Sequence, residues 1–420
     1  MKHFFPLLLF FFVGCTGRAP TATNITEISN IIDLSVGLKN VQTVRLSEIA
    51  DSVSFLPLET TRRSLLRSNT NGYRFSSSHI FWYNAYFDWT GKYGGSIGIR
   101  GNGPLEEPQG VFDVFFTDNH FYSKGSKLVE YDATGKPTRK VRNLYSTSEL
   151  FAGKNPGIFV NGHFLLTERA HFAIYDYPSS LYFIDKNFET VSSRTIAQVD
   201  VFQVLPGKIG NSEYATNYKG HVLFYNFMND TIFYVRDTVL EPRWIVHFDD
   251  PMRLPLQTIA NLNNQDFHGE AIVYTRTGHY EDSKMAQLAE NKHMVTTVYE
   301  TDSHLFFLMT EIIYLAERRN LPPPQPYIVC YEKSTGETFR VKGKGFVDDL
   351  LGLDDYYYPQ LGIFDGRLIS AIWPYELLES INSSKAKGRE VNPQLLELSK
   401  QVKEDDNPIL IFVHLKSTIQ

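Results

Sequence analysis

Residues 111–141, VFDVFFTDNHFYSKGSKLVEYDATGKPTRKV, constrain the fold more than any other stretch of the chain. Apolar-rich runs alternate there with TDNH, KGSK and ATGK. Gly, Asn and Asp accept the positive φ of tight turns, so the runs read as strands joined by hairpins. Alternate residues of a strand face opposite sides, which sets Val129 and Tyr131 on one face and Leu128, Glu130 and Asp132 on the other. The result is one up-and-down, four-stranded sheet. Units of the same kind recur at intervals of roughly 50 residues, a period typical of β-propeller blades.

The chain is therefore expected to be all-β: a six-bladed β-propeller of four-stranded antiparallel blades with short helical insertions. The expected blades span about 73–99, 111–141, 158–196, 214–248, 295–341 and 361–415. YDATGK at 131–136, YEKSTGET at 331–338 and FIDKNFET at 183–190 echo one another, each placing an aromatic strand end before a polar turn. In VQTVRLSEIADSVSFLPLE at 41–59, Val53, Phe55 and Leu58 are strand-like and Pro57 argues for an edge. This strand is expected to close the ring by completing the last blade. Helical spacing in 254–294 and 376–403 marks two insertions, and Pro393 after Asn392 marks a helix start.

Aromatic residues, 14% of the chain, favour strands as carriers of the core. A net charge of −6 without a long Lys/Arg block argues against nucleic-acid binding, which rests on clustered positive charge. MKHFFPLLLFFFVGC at 1–15 has the basic start and short apolar run of a secretory signal and is too short to span a bilayer. Its FVGC ending resembles a bacterial lipobox, which implies that Cys15 is acylated and becomes the mature N-terminus. Residues 16–40 then form a tether and N-terminal segment. By that resemblance the expected address is the cell envelope of a Gram-negative bacterium, lipid-anchored; such lipoproteins carry acidic residues just after the cysteine when exported to the surface, and Gly17, Arg18, Ala19 and Pro20 supply none, which favours the periplasmic face. Cys330, in PYIVCYE, reads as a lone buried thiol.

The lipobox, FLPLE at 55–59, GIRGNGPLEEP at 98–108, FYNFMNDTIFYV at 224–235 and EDDNPILIFVHLK at 404–416 together resemble the six-bladed propeller lipoproteins of the Bacteroides type, an NHL- and TolB-like propeller group. The resemblance covers nearly the whole mature chain. Where that group has GxGPGEY, Leu105 replaces a glycine and Glu107 the tyrosine, while Gly101, Gly103 and Pro104 are kept. The resemblance implies a fold and an address and transfers no catalytic residues.

Chemistry-bearing motifs are sparse. Residues 94–98 match G-x-S-x-G, but IRGNGP follows instead of the helix that a nucleophile elbow needs. Ser384 and Lys387 form S-x-x-K without its partner motifs, in a charged helical insertion. There is no H-E-x-x-H or H-x-H, and no cofactor is expected. Arg100 and Asn102 either face a ligand at the central channel or belong to a tight inter-blade turn. Tyr356, Tyr357 and Tyr358 with Trp373 and Tyr375 gather rings near the last blade, either to stack on sugars or peptides or to pack blade against blade. The first functional reading is a binding module for a glycan, peptide or protein partner. The alternative is a hydrolase, lyase or lactonase using carboxylates such as Asp88, Asp113, Glu168 and Asp185, with a divalent cation at the channel.

Overall fold

A computed structural model describes residues 30–66, 73–98, 100–107, 113–116, 120–124, 127–143, 158–160, 163–167, 179–184, 190–197, 215–219, 221–225, 229–253, 291–311 and 326–416. Five sheets, at 73–96, 113–143, 158–197, 215–247 and 293–341, are each a meander of four consecutive strands. The expected runs and turns account for these five blades. A further four-stranded sheet is composite: Gly362–Phe364, Arg367–Ile372 and Ile409–Leu415 take their outer neighbour from the chain's other end. A small hairpin, Phe346–Val347 with Tyr356–Tyr357, stands apart from them.

The outer neighbour belongs to an N-terminal strap. The strap comprises β1 (Ile31–Asp33), α1 (Leu34–Lys39), β2 (Val41–Gln42), α2 (Leu46–Ile49) and β3 (Ala50–Pro57). β3 pairs antiparallel with Ile409–Leu415, from Ile409 opposite Pro57 to Val413 opposite Val53. Proline ends the strand at an edge, as its missing N–H requires. β1 runs parallel to Val239–His247 of the fourth sheet, and β2 parallel to Thr338–Val341 of the fifth. One segment thus borders three successive sheets. The two parallel pairings could not be read from sequence, because two- or three-residue strands carry no alternation.

Sheets pack face to face through apolar clusters. Phe81, Tyr86 and Ile97 of the first meet Val114, Phe121 and Tyr131 of the second. Leu223, Ile232 and Trp244 of the fourth meet Val298, Phe307 and Val329 of the fifth. The composite sheet is covered on both faces, by Phe306, Ile328 and Phe339 of the fifth against Ile409, Ile411 and Val413, and by Ile80, Trp82 and Phe87 of the first against Ile369, Leu410 and Phe412. The later insertion forms α3 (Pro374–Ala386) and α4 (Pro393–Ser399), whose Leu377, Ile381 and Leu395 join the cluster of the fifth and composite sheets. Asn392 caps α4 by accepting from the Gln394 N–H at 3.0 Å. Residues 254–290 of the earlier insertion lie outside the described residues.

Antiparallel meanders sort their connections by end. Turns between first and second strands, and between third and fourth, lie at one end of every sheet; the remaining connections lie at the other. The first kind holds only a few residues at each turn, and Lys219 and Asp365 take positive φ in two of them. The second kind includes 97–112, 198–214, 248–292, 312–326, 342–361 and 373–408. One end of the ring is closely trimmed, and the other bears the long connections.

Candidate functional site

At the short-turn end the sheets repeat a construction that no motif announced. Their second strands begin with His79, His120, His163, His221 and His304, and with Arg367 in the composite sheet. In the first sheet the His79 N–H donates to Ser76 Oγ at 2.8 Å and Nδ1 meets Ser78 Oγ at 2.8 Å. In the fifth, the His304 N–H donates to Thr301 Oγ1 at 3.0 Å and Nδ1 meets Ser303 Oγ at 2.8 Å. The His79 ring stands edge-on to Phe121 of the next sheet, 5.0 Å between centroids. Alignment of SSSH, TDNH, VNGH, YKGH and TDSH on strand starts would have exposed the repeat.

The imidazoles of His79 and His304 predict an acid-sensitive ring. His79 and His304 are pulled below the ordinary histidine value, chiefly by burial, against the attraction of Asp88 and Glu332 respectively, while Lys333 adds to the lowering at His304. The unfolded chain accepts protons that the folded chain resists, so stability is full above pH about 6.5 and is lost as pH falls below it. The ceiling is about 1.4 kcal/mol per pH unit for each excluded proton. Urea midpoints should fall between pH 7.5 and 5.5, and the paired substitutions His79→Gln and His304→Gln should flatten that slope. An unchanged midpoint in the parent protein would refute the prediction.

Third-to-fourth-strand turns at the same end use carboxylates as clamps. Asp88 Oδ1 accepts from the Thr90 N–H (2.8 Å), the Thr90 hydroxyl (2.6 Å) and the Lys92 N–H (3.1 Å). Asp132 Oδ1 does the same with Thr134 and Lys136, at 2.9, 2.6 and 3.0 Å. Both carboxyls lie below their ordinary value, first because of the threonine hydroxyl. Asp88 is therefore a turn residue. Asp113 opens the first strand of the second sheet, an edge strand, and Glu168 and Asp185 lie outside the described residues.

A buried charge node joins the fourth and fifth sheets. The Glu300 side chain is 0% exposed. Its Oε1 accepts from Lys333 Nζ at 2.7 Å and Arg243 Nη2 at 3.0 Å; its Oε2 accepts from Tyr234 OH and Trp244 Nε1, both at 3.4 Å. Arg243 lies 5.0 Å from the centroids of the Tyr234 and Trp244 rings, and Lys333 lies 4.8 Å from that of Tyr218. Burial lowers Lys333 below its ordinary value against the pull of Glu300. Burial also opposes the charge of Arg243, but its bond to Glu300 raises it overall. With both oxygens engaged, Glu300 is a fastener between sheets. Residues 243, 300 and 333 share no motif, and only strand register brings them together.

The other end holds the residues singled out from sequence. Arg100 and Asn102 are exposed on the linker from the first to the second sheet. That linker is tied to the second sheet: the Gly98 N–H donates to Tyr131 OH (3.0 Å), and Lys127 Nζ donates to the carbonyls of Gly103 (2.6 Å) and Glu106 (2.7 Å). Glu107, which departs from the motif, is fully buried and accepts from the Lys127 N–H at 3.0 Å. Tyr357 is buried in the core, whereas Tyr356 is exposed and lies over Gly343. Trp373 is half-buried and stands edge-on to Trp82, 6.2 Å between centroids at 83°. Trp82 is 1% exposed, and its indole N–H has no partner among the described residues. Tyr73, opposite Trp82 in the first sheet, packs on the same cluster and donates its hydroxyl to the Gln360 carbonyl at 3.2 Å. Tyr83, in left-handed conformation at φ 53°, and Tyr375 are exposed at the same end. Trp373 is thus grouped with Trp82, which sequence reasoning had not selected. No described contact joins Trp373 to Arg100, Asn102 or Tyr356.

Among the described residues, no group of three or more His, Cys, Asp or Glu is placed to hold a metal ion. Cys330 is buried, with its thiol raised by burial, and Cys15 lies outside the described residues.

Together these features define an all-β propeller built of four-stranded antiparallel blades. The chain belongs to the family described as Domain of unknown function (DUF4934), whose model matches residues 29–414. No curated protein matches it. Among solved structures it is similar to a protein described as exported, from Bacteroides fragilis, at 19% identity and a TM-score of 0.63 over 91% of this chain and 99% of that one. A weaker likeness, at 12% identity and a TM-score of 0.25, is to the glutaminyl cyclase of Myxococcus xanthus, over 63% of this chain and 93% of that one. At these identities the first likeness supports the fold alone, and the second carries no argument.

Proposed function

We propose that this protein is an exported, lipid-anchored, six-bladed propeller that binds a glycan through its loop-bearing end. The composite sheet serves as the sixth blade: it packs between the fifth and first sheets and keeps the repeat's strand order, with Arg367 in the place of histidine. Cys15 carries the acyl chains, by its FVGC context, and the periplasmic face is the proposed side. The exported relative from Bacteroides fragilis agrees with this address.

The observation that carries the binding reading is the aromatic group at the loop-bearing end. Trp373 and Tyr73 flank Trp82, while Tyr83 and Tyr375 are exposed at that end. Rings present rigid apolar faces to the C–H faces of a sugar. Of the carboxylates that the enzyme reading would use, Asp88 is engaged in clamping a turn.

The test is a thermal-shift panel of oligosaccharides, peptides and divalent ions, followed by calorimetry of any hit. A glycan should raise the melting temperature. Tyr375→Ala and Trp373→Phe should each weaken it by about 1 kcal/mol, roughly fivefold, the scale of one aromatic contact. A chelator-sensitive shift with a metal ion, or glycan binding indifferent to both substitutions, would overturn this reading; a response to peptides alone would replace the glycan.

A further inference from the structure

The exposed aliphatic residues of the N-terminal strap have no function in the binding reading. Ile31 is 59% exposed, Val36 54% and Val41 51%; among the described aliphatic residues only Leu65, at 60%, and Val191 and Val239, each at 51%, are comparably open. All three fall within the first twelve described residues, on the segment that forms the outermost border of the fourth and fifth sheets. Their neighbours Ile32, Leu34 and Leu38 are buried in the inter-sheet core, so the strap uses one side for packing and leaves Ile31, Val36 and Val41 exposed together with Lys39, which pairs with Asp249.

Chain length limits where that border can be. Fourteen residues separate Cys15 from Asn30. A chain of that length reaches no more than about 50 Å at full extension. An acylated Cys15 therefore limits how far this border can move from the bilayer more tightly than it limits any later part of the chain. We infer that the strap edge bearing Ile31, Val36 and Val41 is a membrane-contact surface, seated in the interfacial region of a phospholipid bilayer. This inference rests on the proposed acylation of Cys15. Acyl chains and a small apolar surface are complementary signals, the first fixing the protein to the membrane and the second its attitude. The loop-bearing end then stays free for its ligand.

The experiment uses the full chain in phospholipid vesicles with one environment-sensitive fluorophore on an introduced cysteine. Cys330 is buried and does not compete for label. Positions are Val36→Cys, with Ser334→Cys at the short-turn end and Tyr375→Cys at the loop-bearing end as controls. The label at 36 should be quenched at least about twofold by lipids spin-labelled near the headgroup and protected from aqueous iodide. Labels at 334 and 375 should show the reverse. A label at 36 as open to iodide as the controls overturns the inference. So does protection without lipid quenching, which would assign the edge to a protein partner. Mass spectrometry of the mature N-terminus separates the two readings: an unacylated Cys15 defeats the anchor alone, and lipid quenching at 36 on adding vesicles to that chain would still support the surface.

Discussion

Glu300→Ala lowers folding stability by about 3–5 kcal/mol, the range for removing one partner from a buried ion pair. The substitution strands Arg243 and Lys333 beside the Tyr218, Tyr234 and Trp244 rings, without the carboxylate that offsets their desolvation. Each cation is partly open to water, at 33% and 17% exposure, so the loss belongs to the lower half of that range. Glu300→Gln keeps one acceptor for Lys333 and should cost less than alanine. Urea unfolding of the single variants and of Glu300→Ala with Lys333→Met checks the argument. The second substitution should recover part of the loss, because an uncompensated ammonium is replaced by a side chain of similar length. A double variant less stable than Glu300→Ala would show that Lys333 stabilises the interface by some means other than its charge.

The period of the sheets was legible because a meander repeats local signals. Each run from 113 to 143 carries its own alternation, and each turn its own Gly, Asn or Asp. Pro57 even declared the edge position of β3. What sequence left hidden depends on chain segments far apart. β1 opposes Ile245–His247 across more than two hundred residues, and nothing in the three residues IID announces a partner.

The candidate site divides in the same way. Aromatic residues near 356 and 373 were visible, yet their roles differ with burial: Tyr357 lies in the core and Tyr375 in solvent. Trp82 escaped notice because HIFWYNAYFDW reads as a strand pair, and its relation to Trp373 exists only where the composite sheet meets the first. The glycine-rich linker shows the opposite case. Arg100 and Asn102 were weighed as channel residues or turn residues, and the bonds from Lys127 tie that segment to the neighbouring sheet. Glu107, fully buried, accepts the Lys127 N–H through a carboxylate oxygen.

The seam where the chain's two ends meet depends on one amide. Asn407 is 1% exposed and immediately precedes Pro408, whose carbonyl accepts from the Leu58 N–H at 3.2 Å as β3 ends. Its Oδ1 accepts from the Leu66 N–H at 2.8 Å, and its Nδ2 donates to the carbonyls of Glu59 at 2.7 Å and Ser64 at 2.8 Å. Asn407→Ala removes three bonds, leaving the Glu59 carbonyl only its bond from the Ser64 hydroxyl, and should cost about 3 kcal/mol, at roughly 1 kcal/mol for each lost bond. Asn407→Asp is the sharper test. It keeps the acceptor for Leu66 but turns a carboxylate oxygen toward two carbonyls in a buried site, which raises the new group's pKa above its unfolded value. The penalty is then full near neutral pH and relieved as acid protonates the side chain, so this variant's deficit relative to the parent should shrink between pH 7 and 5. The parent itself loses stability over that interval through His79 and His304, and the two slopes therefore oppose each other. An aspartate variant whose deficit is constant with pH would mean that the seam opens to water at Asn407 when substituted, and that the amide's bonds do not control ring closure.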